Sequence, residues 1–498
     1  MVDCVLNILR TGVIPYGLND TYICLIPKVN CPQKMMEFRP ISLCNVIYKL
    51  VSKVLANRLK RILPDVICDA QSAFVPGRQI TDNVLVAFEV MHCINQRRKG
   101  KKGLMAIKLD MSKAYDRVKW AYLEAMMRKL GFHERWINLM MMCVSTVSYS
   151  VLINGEPKGR IVPTRGLRQG DPTSPYLFLL CAEGLSAMLR KVENGGIPRG
   201  IVVCRQAPLV FHLLFACIVF GKASKEEGFR LLKILEVYEK ESRQKLNREK
   251  TSLFFSKNTS VEVKEEVKDM FGAQVIHHHE RYLGLPTLVG RGKKKAFHHI
   301  LDQLGRKIVR WKGKLLSTAG REILIKAVAQ ATPMYMMNCF KLLESLCNEL
   351  NMKMRNFWWG QRDKERKMAW IAWEKMCTLK TEGGMGFKDL KAFNSALLAK
   401  QGWRISQDSD SLAHRVLKAK YFPDSNFLEA QLGKNPSYTW RSLVAARGVL
   451  HCGLRWNIGN GQKAKIWIDR WVPTPNSFMV VSPRPQNAEN ELVETLLD

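Results

Sequence analysis

Residues 104–116 read Leu104-Met105-Ala106-Ile107-Lys108-Leu109-Asp110-Met111-Ser112-Lys113-Ala114-Tyr115-Asp116. An apolar run broken only by Lys108 ends in a carboxylate. This pattern predicts a buried strand that delivers Asp110 at its C-terminal end. A tight turn then brings Tyr115 back towards the same place. A carboxylate so placed can hold Mg²⁺, although an aspartate that merely caps a turn is the commoner reading.

Two further segments frame this one. Gly166-Leu167-Arg168-Gln169-Gly170-Asp171-Pro172-Thr173-Ser174-Pro175 combines two glycines with two prolines. It predicts a constrained loop feeding a helix over 175–192, in which Gly170 lets a ligand approach the backbone closely. Phe211-His212-Leu213-Leu214-Phe215-Ala216-Cys217-Ile218-Val219-Phe220 belongs to a strand-like run over 210–220. Around these, residues 45–63 predict a basic amphipathic helix ending before Pro64. Residues 119–143 and 226–243 also predict helix. Asn154-Gly155 predicts a hairpin between two strands.

The chain has 498 residues and a formal charge of +34, from 78 Lys+Arg against 44 Asp+Glu. Its hydrophobic content of 47% is ordinary for a folded chain, which excludes a disordered or fibrous protein. The length fits about three domains. An excess of positive charge on an ordinary composition points to a polyanionic partner, nucleic acid before an anionic membrane surface. The longest apolar stretch, Pro208–Phe220, is too short to span a bilayer. Fourteen scattered cysteines without a C-x-x-C pair predict reduced thiols in an intracellular protein, nuclear or cytoplasmic. His277-His278-His279-Glu280 is a poor metal cluster, because adjacent side chains of an extended segment point to opposite faces.

Charge is concentrated after residue 290. Between Arg291 and Lys326 there are eleven Lys/Arg and two acids. Phe297, Ile300, Leu301, Leu304, Ile308 and Trp311 fall near one helical face, with Arg306, Lys307 and Arg310 tending to the other. A basic helix of this kind suits contact with a nucleic-acid backbone. Beyond residue 355 tryptophans become frequent. Core packing is their default role, and base stacking the sharper one.

Taken as a set, these segments resemble the reverse transcriptases of LINE-type non-LTR retrotransposons, most closely the plant lineage. Leu25-Ile26-Pro27-Lys28, Phe38-Arg39-Pro40-Ile41-Ser42-Leu43-Cys44-Asn45, Gln71-Ser72-Ala73-Phe74-Val75-Pro76-Gly77-Arg78, Gln244 to Ser252 and Tyr282-Leu283-Gly284-Leu285-Pro286 carry the resemblance beside the three segments already quoted. Phe357-Trp358-Trp359-Gly360, Gly383-Gly384-Met385-Gly386-Phe387 and Ile466-Trp467-Ile468-Asp469-Arg470-Trp471 extend it downstream. The resemblance implies an α+β, right-hand polymerase fold with a C-terminal α/β extension. Fingers would occupy 1–103. The palm would occupy 104–290, with a fingers insertion near 119–165. A basic helical thumb would follow over 291–395, and a Trp-rich region over 396–498. It implies Asp110 as first catalytic aspartate and Mg²⁺ ligand. Tyr115, Gln169, Gly170, Lys250 and Arg78 would serve the nucleotide. Arg39, Arg168, Lys293, Lys294, Lys295, Lys307 and Arg310 would serve template and primer. The implied partners are an RNA template, an RNA–DNA or DNA duplex and deoxynucleoside triphosphates, with no membrane.

One departure from the family matters most. The family's third catalytic segment reads Phe/Tyr-Ala-Asp-Asp, whereas this chain reads Phe215-Ala216-Cys217-Ile218. The flanks match if two residues are missing after Ala216. No Asp or Glu occurs between Glu193 and Glu226 to replace them. Two-metal phosphoryl transfer needs clustered carboxylates, so the expectation is a polymerase by ancestry that no longer polymerises. The alternative is a non-catalytic RNA- or DNA-binding remnant with a retained basic groove. The resemblance also implies a fragment: the first residues match the interior of the fingers, no endonuclease precedes them, and no zinc-binding segment follows.

Overall fold

The computed structural model describes residues 1–194, 200–214, 217–276, 281–287, 289–290, 292–312, 316–360, 368–473, 477–485 and 491–496. The run at 277–280 and the pair Phe215–Ala216 lie outside the described residues. The chain forms two units: Met1–Gly292 with Ser409–Pro423, and Lys293–Asp408 with Asp424–Asp498.

The first unit contains the strands β1 (Asp20–Pro27), β2 (Phe38–Cys44), β3 (Gly103–Lys108), β4 (Ser148–Ile153), β5 (Glu156–Ile161), β6 (Ile201–Val202), β7 (Leu209–Val210), β8 (His212–Leu213), β9 (Ile218–Ala223), β10 (Ser252–Phe255) and β11 (Gln274–Val275). One sheet has the order β2-β1-β4-β5, a second β11-β10-β3-β9-β8, and β6 pairs with β7 in a separate two-stranded ribbon. The stretch 104–108 is therefore the central strand of the second sheet, antiparallel to β9 and β10. Met105, Ile107 and Leu109 are buried there with Val219, Leu231, Leu235, Leu253 and Phe271. Burial on both faces explains why the run is continuously apolar rather than alternating.

Several expectations take a more detailed form. Residues 119–143 make two helices, Trp120–Lys129 and Glu134–Ser145. Gly131 between them sits at φ +82°, a left-handed conformation that ends the first helix. The apolar run 210–220 is no single strand but part of an antiparallel hairpin of β8 with β9. Asn154 and Gly155, at φ +52° and +87°, close the hairpin of β4 with β5.

The helix Val46–Val66 runs through Pro64 instead of stopping before it. Tyr48, Val51, Leu55, Leu59 and Leu63 form its buried stripe, and the Asn45 side chain caps its start. A proline near the C-terminal end removes just one backbone donor. The carbonyls left open there are satisfied by Arg78, whose Nη2 donates to the Pro64 oxygen at 3.0 Å and the Ile67 oxygen at 2.9 Å.

Ser409–Pro423, distant in sequence, packs within this unit. Lys420 Nζ and the Tyr421 hydroxyl each reach Glu89 Oε2 at 2.8 Å, and Glu89 is fully buried. Arg415 pairs with Asp69.

The second unit is helical among the described residues. Beyond Pro286 no strand forms there. Lys465 and Leu492 make one isolated bridge, in place of the α/β extension expected over 396–498. Ala464, Ile466 and Val493 are buried together with Trp467 and Trp471 packed on them, so the apolar residues of 464–471 cover a small cluster instead of a sheet. The basic amphipathic helix is present as His299–Lys312, with Ile300, Leu301, Leu304 and Ile308 buried and Lys307 and Arg310 exposed. Asn394 pins the interior. It accepts from the Leu342 amide and donates to the Met337 and Phe340 carbonyls at 2.8–3.0 Å.

Candidate functional site

Asp110 follows the central strand directly, half-buried, with its backbone fixed on both sides. The Leu109 amide donates to the Cys217 carbonyl at 2.7 Å, and the Asn247 amide donates to the Asp110 carbonyl at 2.7 Å. Met111 bridges Leu246, and the Ser112 amide bonds the Lys245 carbonyl. Asp110 thus directly follows the residue bonded to Cys217, the first described residue of the segment that leads into β9. The residue after which the pair of aspartates is missing, Ala216, is outside the described residues.

Tyr115 lies on the short helix Ala114–Arg117. Its ring stacks on Phe178 at 5.1 Å, and burial pushes its hydroxyl pKa up. Its carbonyl accepts from the Leu167 amide at 2.8 Å, which joins it to the 166–170 loop. That loop needs its glycines. Gly166 at φ +95° would place a Cβ 2.9 Å from the Asp116 carbonyl oxygen, and Gly170 at φ +119° would place one 2.9 Å from the Ser42 carbonyl oxygen. The Gln169 carbonyl accepts from the Ser42 amide at 2.8 Å. Backbone bonds thus tie Asp110 to Asn247 on one side, and tie Tyr115 and Gln169 to Leu167 and Ser42 on the other, with Gly170 packed against Ser42. Lys250 is exposed on the turn after Asn247, three residues from the amide that holds Asp110. Arg39 is exposed on β2.

Two arginines expected to face ligands are turned inward. Arg168 is buried and pairs with buried Asp171 at 2.7 Å. Its other donors reach Asn19 Oδ1 at 2.5 Å, Thr21 Oγ1 at 3.2 Å and the Cys143 carbonyl at 2.9 Å. The guanidinium lies 4.0 Å from the Tyr48 ring. Arg78 engages its four terminal N–H groups with the carbonyls of Pro64, Ile67, Cys68 and Gln71. Arg78 is occupied by backbone carbonyls of the loop it holds, and Arg168 chiefly by the Asp171, Asn19 and Thr21 side chains.

The lysines of the second unit stand apart and are described within it. Lys294 pairs with Glu349 at 2.9 Å, Lys293 lies over the Tyr438 ring, and Lys307 donates to Thr332. Lys295 and Arg310 are exposed.

Sequence reading missed the groups that hold the hairpin. Asn83 Nδ2 donates to the Leu214 carbonyl at 3.0 Å and to the Ala70 carbonyl at 3.2 Å, across 131 residues in the first case. No local signal announces such a partner. Asp171 carries one: Asp-Pro-Thr is a turn pattern, and Asp171 Oδ1 accepts from the Thr173 amide and hydroxyl.

His212 is likewise structural. Its Nε2 lies 2.7 Å from Ser186 Oγ, which lies 2.9 Å from Cys68 Sγ. Burial, followed by the nearby Arg190, lowers its pKa to about 4. An unfolded histidine titrates near 6.5. The folded pKa is the lower one, so this contribution to stability is full above about pH 6.5 and is lost as pH falls towards 4. The loss reaches on the order of 3 kcal/mol. His212→Gln keeps a partner for Ser186 and has no proton to take up. Its melting temperature is expected to fall less than that of the parent chain between pH 7 and 4.5; equal falls would refute the assignment.

A pair of divalent ions requires several carboxylates converging. Among the described residues no group of three or more His, Cys, Asp or Glu side chains is placed to hold a metal ion. Asp110 alone does not fit that requirement.

Residues 26–287 match the family model described as reverse transcriptase (RNA-dependent DNA polymerase). An uncharacterized mitochondrial protein of Arabidopsis thaliana is 46% identical over 143 residues, 28% of this chain and 93% of that protein. The 149 kDa protein of transposon TX1 of Xenopus laevis is 26% identical over 359 residues, 70% of this chain and 26% of that protein. The Pol polyprotein of the R2DM element of Drosophila melanogaster is 28% identical over 36% of this chain and 16% of its own length. The chain thus spans about a quarter or less of these two element-encoded relatives. Telomerase of Candida tropicalis in complex with a fragment of telomeric RNA aligns over 84% of this chain and 67% of its own, at 12% identity and TM-score 0.40. With more than half of its length matched and the three sequence segments joined as described, the chain belongs to the reverse transcriptase family, as the α+β polymerase domain of a plant-type non-LTR retrotransposon.

Proposed function

We propose that this domain grips nucleic acid but does not extend a primer. The observation that carries the reading is Asp110, held directly after the residue bonded to Cys217, while no second carboxylate is available in the β8–β9 connection. Divalent-metal use is a family property, and the Mg²⁺ site is incomplete here. Tyr115, Gln169, Gly170 and Lys250 are the remnant of a deoxynucleoside triphosphate site. Arg39, Lys293, Lys294, Lys295, Lys307 and Arg310 contact an RNA template or its duplex. Arg78 and Arg168 position loops and touch neither. Fingers over 1–103, palm over 104–290, thumb over 291–395 and a Trp-rich region over 396–498 are the matching division. An intracellular location is supported by fourteen cysteines that are all free.

The test is primer extension on poly-rA with Mg²⁺, beside equilibrium binding of an RNA–DNA duplex at two salt concentrations. The expected result is binding that weakens steeply with salt and no extension. Extension that disappears in Asp110→Ala would overturn the inactive reading. Affinity independent of salt would overturn the grip.

A further inference from the structure

The second unit holds a cavity of about 300 Å³ that none of these roles uses. Trp358, Trp359, Ile371 and Met376 supply apolar wall, and Arg321 and Lys375 supply cations. Three helices bring them together: Thr318–Leu324 carries Arg321, Glu344–Trp358 ends at the paired tryptophans, and Trp373–Met376 carries Lys375. Arg321 is fixed by donating to the Trp358 carbonyl at 3.1 Å.

Four features restrict what fits. Trp358 and Trp359 line the cavity side by side, and an indole wall favours a flat aromatic ligand. Lys375 is exposed and makes no ion pair among the described residues. Glu322 is already matched by Lys326 at 2.8 Å and Lys380 at 2.9 Å, while Glu374 and Glu382, beside the cavity, are exposed to solvent. Finally, the chain leading to Ile371 presents Met368 at 70% and Trp370 at 77% exposure. A solvent-exposed tryptophan beside an aromatic cavity marks a contact surface. A hydrocarbon ligand would leave the cations unanswered. A flat aromatic ring with a phosphate beside it answers both the indole wall and the cations.

We propose that this cavity receives an unpaired nucleobase of single-stranded RNA or DNA, stacked against the tryptophan wall, with Lys375 and Arg321 meeting the adjoining phosphate. The inference rests on the nucleic-acid grip proposed above and is independent of whether the domain polymerises.

The test uses the full chain and fluorescence anisotropy with labelled oligo-rU, oligo-dT and a blunt RNA–DNA duplex. Trp370→Ala and Lys375→Glu alter exposed side chains, so melting temperatures should match the parent. Each is expected to weaken both single strands roughly tenfold, the loss of about one stacked base or phosphate contact. Duplex affinity should change less than twofold. Parallel loss on strands and duplex, or no loss on either, would overturn the base site and leave the grip standing. A parent chain that binds no nucleic acid would overturn both. As a second readout, 4-thiouridine crosslinks are expected in the peptides containing Trp358–Trp359 or Trp370–Ile371; crosslinks confined to the first unit would refute the placement.

Discussion

Insertion of Asp-Asp between Ala216 and Cys217 is expected to create Mg²⁺-dependent primer extension, about a thousandfold above the level of the parent chain. A completed metal site contributes several kcal/mol of charge stabilisation in phosphoryl transfer, and about 4 kcal/mol corresponds to a factor of roughly a thousand. The described residues that flank the insertion point on either side are anchored. Lys108 pairs with Ile218, the Leu109 amide holds the Cys217 carbonyl, and Asp110 is anchored from the other side by Asn247. An insertion of two residues preserves the facing of β8 and β9, since side chains alternate with period two. The Leu214 end stays tied to Ala70 and Asn83. Inserting Asn-Asn supplies the same length without charge and should give no extension. Asp110→Ala in the Asp-Asp variant should abolish the gain. An Asp-Asp variant that keeps its melting temperature, binds template–primer and still does not extend would show that more than the pair is defective.

Much of this arrangement can be read along the chain, and the unreadable part has a common cause. Asp110 is legible because an apolar strand that ends in a carboxylate is a local pattern. Gly170 is legible because a glycine beside Asp-Pro signals a constrained loop, and the positive φ with the close Ser42 carbonyl explains it. The hairpin at Asn154-Gly155 follows from turn chemistry alone. The inward course of Arg78 and Arg168 is not legible, because a basic residue in a loop looks the same whether it faces solvent or folds inward. Their partners are backbone carbonyls and residues up to 149 positions away, which no periodicity encodes. Ser409–Pro423 was unreadable for the same reason: its place is fixed by Glu89 and Asp69, hundreds of residues earlier. Trp370 and Trp440 likewise share a residue type, yet one is 77% exposed and the other fully buried.

Arg168→Met is expected to lower the unfolding free energy of the first unit by about 3–5 kcal/mol while leaving duplex affinity in the folded protein nearly unchanged. The reason lies in what remains. Removing the guanidinium strands the Asp171 carboxylate, which is almost fully buried and accepts from the Tyr48 hydroxyl at 2.5 Å and from Thr173. It also takes a donor from Asn19 Oδ1, while the Cys143 carbonyl keeps the Asn19 Nδ2 donor. Burial, and then Asp171, push the Tyr48 pKa well up, so Tyr48 stays a neutral donor and the stranded charge stays on Asp171. Arg168→Met with Asp171→Asn removes both charges and keeps a hydrogen-bonding side chain beside Tyr48 and Thr173. That double variant should recover a substantial part of the loss, giving a coupling energy well above the 0.3–0.5 kcal/mol seen for independent sites. Urea unfolding of the parent, both single variants and the double variant measures it. A direct role for Arg168 on the template predicts the opposite pattern: unchanged unfolding midpoints, weakened duplex binding and no recovery in the double variant. The two outcomes separate a residue that shapes the loop carrying Gln169 and Gly170 from one that grips a phosphate.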